Sequence, residues 1–149
     1  MTDQDAVAAR ARKAAANLGS AQALLDRGFA ENAVTAMSFA GFHLAQPLLA
    51  TIGIAPETHR GTQQMFSFHF VRGGALPADF GRRLSRLMDD RGLADYGLGG
   101  DITPASAAET RENLLAFLPP VLALLRERAP DAAEALSEVQ TATDALAAA

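Results

Sequence analysis

The sequence predicts an all-α protein, an up-and-down bundle of about five or six helices in a single domain spanning 1–149. Three observations carry this prediction. Apolar residues recur at steps of three and four along most of the chain, which is the spacing of a helix with one buried face. Short segments containing glycine and proline separate these stretches. A chain of 149 residues, of which 49% are hydrophobic, can also bury a core without disulfides.

The first two helices are the most regular. The first has an apolar stripe formed by Val7, Ala11, Ala14, Leu18, Ala21 and Leu25. Gly28 is predicted to end it. The second is predicted from Glu31 or Asn32 to about Ile52, and apolar residues all around it indicate a central position. Pro47 removes one backbone hydrogen bond within it, so a kink or an early end is expected.

The third apolar segment fits a short helix or a strand. Its large apolar residues are Met65, Phe66, Phe68 and Phe70. A helix is favoured, because a lone strand would leave its backbone groups without partners. Gly73 and Gly74 close the segment, and Pro77 is expected in the first turn of the next helix.

The fourth helix has an apolar side and a basic side. Phe80, Leu84, Leu87 and Met88 form the first, and Arg82, Arg83, Arg86 and Arg91 lie between or just beyond them. Residues 97–100, with the sequence GLGG, predict a flexible break after it.

Capping signals predict the last two helices. Thr103 followed by Pro104 indicates an N-cap and a first helical position. Leu114, Leu118, Leu122 and Leu125 then form one stripe, with a bend expected at Pro119 and Pro120. Asp131 and Glu134 resemble a capping box for an alanine-rich helix over 131–147, beyond a core of about 7–125, and residues 145–149 are expected to fray.

Composition excludes several classes of function. The absence of cysteine rules out disulfides, thiolate zinc sites, iron–sulfur clusters and cysteine nucleophiles. A net charge of −4 argues against a uniformly basic surface but leaves room for a local basic patch. The polar N-terminal residues and the lack of an apolar run of roughly 20 residues predict a soluble, cytoplasmic protein that makes no membrane contact.

The common enzyme templates are not present in the sequence. The three histidines, His43, His59 and His69, lack the spacing of a metal site, so neither a metal nor another cofactor is expected. No serine lies in a nucleophile elbow, and the GLGG segment follows no strand. The simplest interpretation of His43 is a core histidine that is hydrogen-bonded to a neighbour.

The arginines of the fourth helix are the strongest chemical signal. Arg91 and Asp95 are one helical turn apart, which places the carboxylate to orient the guanidinium, and Tyr96 follows. Arginine forks suit phosphate, and a tyrosine can donate a hydrogen bond or stack on a base. The alternative interpretation is a solvated helix face with an ordinary ion pair.

Four segments in a fixed order resemble the HEPN superfamily, and more narrowly its small stand-alone bacterial and archaeal members. They are AVTAMSFAGFH at 33–43, THRG at 58–61, HFVRGG at 69–74 and RGLADY at 91–96. The resemblance covers about 7–125. It implies a helical bundle, usually a homodimer, and a metal-independent ribonuclease or RNA-binding protein. Such proteins are often paired with a nucleotidyltransferase as a toxin–antitoxin module.

The resemblance also implies a site. Arg91 takes the place of the catalytic arginine, and the position of the family's histidine falls near Tyr96, with Asp95 beside it. Arg82, Arg83, Arg86, His59, Arg60 and His43 are the residues expected to bind RNA or nucleotide. The chain departs from the pattern because no histidine follows Arg91, and Ser38 or Phe39 occupies the place of the tyrosines in the second helix.

Two functions therefore stay open at the level of sequence. One is a ribonuclease of a toxin–antitoxin or stress module that is centred on Arg91. The other is a catalytically silent dimer that binds nucleotide or holds a nucleotidyltransferase partner, in which Tyr96 could accept a transferred nucleotide.

Overall fold

The computed structural model describes the backbone of residues 3–96 and 102–149, and the side chains of residues 4–89 and 102–149. Within these ranges the protein is an all-helical bundle, as predicted, with no strand. Its helices are α1 (Asp3–Asp26), α2 (Ala30–Ala50), α3 (His59–Phe66), α4 (Phe80–Tyr96), α5 (Pro104–Arg128) and α6 (Ala133–Ala148). A π-helical turn, Ser67–Val71, continues α3, and a 3₁₀ turn, Pro130–Ala132, precedes α6.

The central element is α2, which packs against α1, α3, α4 and α5. In α1, which packs on α2 and α6, every residue of the predicted stripe is buried except the partly exposed Leu25. Gly28 adopts a φ of 81° two residues after Asp26, the last residue of α1, which confirms it as the stop signal of that helix. The early end expected at Pro47 is wrong, because α2 continues to Ala50 and the amide of Thr51 still donates to the Pro47 carbonyl at 3.1 Å.

Taken alone, α2 is long and apolar enough to cross a membrane, with a mean hydropathy of 1.2 over an 18-residue window. The expectation that the chain holds no such run is therefore wrong. However, 72% of that window is buried inside the bundle. The surrounding helices account for its apolar composition, as is typical of the core helix of a soluble protein.

Small residues of α2 bring α4 close. The Ser38 hydroxyl donates to the Leu87 carbonyl at 2.6 Å in a buried setting. A Cβ on Gly41 would lie 2.8 Å from Cδ1 of Leu87, so only glycine fits there without displacing the leucine. These contacts fix the position of α4 and therefore of the segment that carries Arg91.

The third segment is helical, which confirms the choice of helix over strand. Thr58 caps α3 by accepting the Gly61 amide at 2.9 Å. Pro77 is not in the first turn of α4, contrary to the prediction, because α4 begins at Phe80. The Pro77 carbonyl instead accepts the Phe80 amide at 3.1 Å, in a separate turn before α4. Just before this turn, the Leu76 amide donates to the Phe70 carbonyl.

The N-terminus of α5 is capped as predicted, with Thr103 and Ser106 forming a reciprocal capping box and Pro104 following Thr103. Pro119 and Pro120 lie inside α5, which runs unbroken to Arg128. The capping box expected at Asp131 and Glu134 is wrong. Asp131 belongs to the 3₁₀ turn, where its amide donates to Oε1 of Gln4, and Ala132 precedes α6 without a side-chain cap.

The end of α6 is held in place rather than frayed, which corrects the expectation for residues 145–149. Arg111 of α5 donates to the carbonyls of Leu146, Ala147 and Ala149 at distances from 2.7 to 3.1 Å. A guanidinium here donates to carbonyls at the C-terminal end of the helix and interacts favourably with the negative end of the helix dipole.

Candidate functional site

The arginines of α4 divide into two kinds. Arg83 is half-buried and bonded to its surroundings, with Nε 3.1 Å from Asp79 Oδ2 and Nη1 3.0 Å from Asn113 Oδ1. The Asn113 amide returns a bond to the Arg83 carbonyl, which ties α4 to α5. Arg83 therefore has a structural task, and fewer of its donors remain for a ligand.

Arg82 and Arg86 are exposed, and neither forms an ion pair with a side chain that the structure describes. They share the rim of a small pocket of about 140 Å³ with Arg83, Asp79 and Asn113. Two open guanidinium groups one helical turn apart can each contact a phosphate.

Arg91, Asp95 and Tyr96 lie in the last turns of α4, and their side chains fall outside the described residues, as does the GLGG segment. The helix backbone still fixes their angular positions. At about 100° per residue, position 91 is about 40° around the axis from Leu87 and about 180° from Arg82. The Arg91 position is thus on the side of α4 that packs on α2, and the Arg82 and Arg86 positions are on the opposite side.

His43 of α2 is half-buried, and its Nδ1 lies 3.1 Å from Nη1 of Arg10 on α1. Because arginine only donates, Nδ1 accepts and the ring proton belongs on Nε2. Burial, and then the positive charges of Arg10 and Lys13, lower the pKa of His43 to about 4. The ring is therefore neutral at pH 7, and it stacks on Phe39 with centroids 5.9 Å apart.

Phe42 links the two histidines of this region. Its ring centroid lies 6.1 Å from that of His43 and 4.5 Å from that of His59, the first residue of α3. Arg60 follows on the exposed side of α3. The structure therefore brings His43, His59 and Arg10 to one region, while Arg82, Arg83 and Arg86 form a second group along α4.

Sequence reasoning gave no role to Arg10 of α1. No local signal reveals its contact with His43, because the two residues are 33 positions apart and meet only when α1 packs on α2. The described residues contain no group of three or more His, Asp or Glu side chains that could hold a metal ion. The chemistry visible in them is that of positive charge, hydrogen bonding and aromatic faces.

A helical bundle with arginines along one helix is the class of protein that the fold and the site define. The family follows from comparison with known proteins. The family model described as HEPN domain matches residues 7–127, and the chain belongs to this family.

Three known proteins are similar in sequence to part of this chain. The chain is 34% identical over 80 residues to "Putative toxin MJ0605" of Methanocaldococcus jannaschii, which is 54% of this chain and 60% of that protein. It is 33% identical over 76 residues to "UPF0332 protein PH1297" of Pyrococcus horikoshii, covering 51% and 54%. It is 29% identical over 86 residues to a UPF0332 protein of Thermotoga maritima, covering 58% and 65%. The chain thus spans between about half and two thirds of the length of these curated relatives.

Proposed function

We propose that this protein is a toxin-like HEPN protein that acts on RNA, a metal-independent ribonuclease centred on Arg91. The observation that carries the proposal is the placement of the RGLADY segment on α4 of a HEPN bundle. Contacts of Ser38 and Gly41 with Leu87 fix that helix, and position 91 lies one turn beyond Leu87 on the same side. The name of one relative, "Putative toxin MJ0605", supports the toxin-like part of the proposal.

Each residue of the proposed site has a defined task. Cleavage without a metal needs a base for the 2′-hydroxyl, a proton for the leaving oxygen and positive charge for the phosphorane. Arg91 supplies the charge, the Asp95 carboxylate orients it and accepts the proton of the 2′-hydroxyl, and Tyr96 donates a proton to the leaving oxygen. Arg82 and Arg86, on the opposite side of α4, bind the RNA backbone away from the cleaved bond.

The test is incubation of labelled RNA with the wild type and with Arg91→Ala in EDTA. We expect cleavage by the wild type and its loss in the variant. Arg126→Ala is the matched control, because Arg126 is an exposed arginine of α5 far along the chain from this segment and makes only a 3.3 Å bond to Gln140. Equal thermal melting of the three proteins shows that folding is not the cause of any loss.

A second candidate function is a catalytically silent dimer that binds RNA or nucleotide, or that holds a nucleotidyltransferase partner in the cytoplasm. It is favoured by one observation, which is that no histidine follows Arg91 in the sequence. It predicts that the wild type retains RNA on a column and sediments as a homodimer, but leaves the RNA intact. If a partner nucleotidyltransferase and ATP add mass to the wild type and not to Tyr96→Phe, the partner function is supported.

A further inference from the structure

An open groove of about 700 Å³ lies between the π-helical turn and the beginning of α4. Its walls include Phe68 and Arg72 from the first segment, and Arg82 and Gly81 from α4. The residues that line it include two arginines and no carboxylate. The groove therefore favours an anionic ligand over a cationic one.

Phe68 is the aromatic side chain of this groove, and 55% of its surface is exposed. Phe66 and Phe70, two positions away on either side, are buried and pack in the core, with Phe66 5.8 Å from Phe117. Phe68 thus contributes little to the core. The rings of Phe68 and His69 are nearly perpendicular, with centroids 4.9 Å apart, and Cζ of Arg72 lies over the Phe68 ring at 5.7 Å from its centroid. A large apolar ring is thus held at the surface with a cation over it.

The local backbone explains this arrangement. The Arg72 amide donates to the Ser67 carbonyl, five residues earlier, at 2.8 Å, which is the π-helical bond. Gly81 brings α4 close to the same turn, since a Cβ there would lie 2.6 Å from Oγ of Ser67. The short side chain of Ser67 and the bare Gly81 together form the floor of the groove.

We propose that this groove binds single-stranded RNA, with a base stacked on the exposed part of Phe68 and phosphates held by Arg72 and Arg82. The inference rests on the proposed function for its ligand and adds a binding site that lies away from Arg91 on α4. An aromatic platform flanked by arginines suits a chain of planar bases joined by phosphates. An acidic peptide would satisfy the arginines but would leave the ring without a planar partner.

The test measures the affinity of a labelled 2′-O-methyl oligoadenylate by fluorescence anisotropy, because this RNA lacks the hydroxyl that cleavage needs. We expect Phe68→Leu, which removes the stacking surface, to weaken RNA binding by about tenfold or more. Phe68→Trp keeps an aromatic face and should bind RNA as the wild type does. Arg72→Gln and Arg82→Gln each reduce the slope of log affinity against log salt by about 0.7.

Phe29→Leu is the matched control for the aromatic change, because Phe29 is 54% exposed and lies between α1 and α2. Arg126→Gln is the control for the arginines. Both controls are expected to bind as the wild type does. All variants change exposed side chains, so thermal melting should confirm that they fold.

The outcomes separate this inference from the proposed function. If Phe68→Leu and Arg72→Gln bind RNA as tightly as the wild type, the groove is not the RNA site, whatever the cleavage assay shows. If Phe68→Leu instead turns a sedimenting dimer into a monomer, the groove is an interface between two copies and the inference is wrong. If the wild type does not bind the oligoadenylate, the groove is not an RNA site, and the cleavage assay with Arg91→Ala alone decides the proposed function. Binding that depends on Phe68 in a protein that cleaves no RNA supports the groove alone.

Discussion

At the scale of single residues, the structure decides how each polar side chain is used. Of two arginines adjacent in sequence, Arg83 joins α4 to α5 through Asn113 while Arg82 stays open at the groove. Arg10 of α1 donates to a histidine of α2 that is 33 positions away in the sequence. Residue type and spacing alone do not distinguish these uses, because they depend on which helix lies opposite.

The first prediction concerns His43. Its pKa is lowered from 6.5 to about 4 by burial and by the nearby cations. As the pH falls from 6.5 towards 4, the unfolded chain binds a proton at this residue and the folded chain does not. The free energy of unfolding therefore decreases over this window. His43→Gln lacks this contribution, so its stability should decrease less than that of the wild type between pH 7 and pH 5. Thermal melting at the two pH values measures the difference.

His69→Gln is the control for the loss of an imidazole. The assignment to His43 is wrong if His43→Gln loses as much stability between pH 7 and pH 5 as the wild type does.

At the scale of elements, helix boundaries with a local signal can be predicted and those set by tertiary contacts cannot. Thr103 with Pro104 marks the start of α5 correctly, and Gly28 marks the end of α1, because caps act through neighbouring residues. The predicted start of α6 is wrong, because the amide of Asp131 donates to the side chain of Gln4 on α1. The π-helical turn with its exposed Phe68 has no sequence signature that separates it from a regular helix.

The second prediction tests the close packing of α2 on α4. Gly41→Val introduces a side chain where Leu87 and Leu114 already lie, and should lower the free energy of unfolding by about 1–3 kcal/mol. Gly19→Val is the matched control, since nothing lies within 4 Å of a Cβ at this helical glycine, and it should change stability by less than about 0.5 kcal/mol. Urea unfolding measures both, and equal effects would show that the contact is not tight.

The third prediction tests the anchoring of α6. Arg111→Met removes the donors that hold the last carbonyls, and should lower the free energy of unfolding by about 1–3 kcal/mol. Amide hydrogen exchange of residues 143–149 should increase as well. Arg126→Met is the control and should leave this exchange unchanged. Protection at the C-terminus that is unaffected by Arg111→Met would contradict the anchoring.

At the scale of the whole molecule, the two sides of α4 have different surroundings. Its inner side packs on α2 and carries position 91, and its outer side carries Arg82 beside the Phe68 groove. The order of the HEPN segments predicts the fold and the importance of α4. The groove could not be predicted from sequence, because its walls come from a π-helical turn and a glycine contact that appear only in three dimensions.

The most direct test of a ribonuclease centred on Arg91 is the chemistry of the RNA ends that it leaves. A defined single-stranded RNA is incubated in EDTA with the wild type or Arg91→Ala, and the products are analysed by mass spectrometry. Attack by the 2′-hydroxyl predicts fragments ending in a 2′,3′-cyclic phosphate with the wild type and intact RNA with the variant. Intact RNA with both proteins, or equal cleavage by both, would contradict the account.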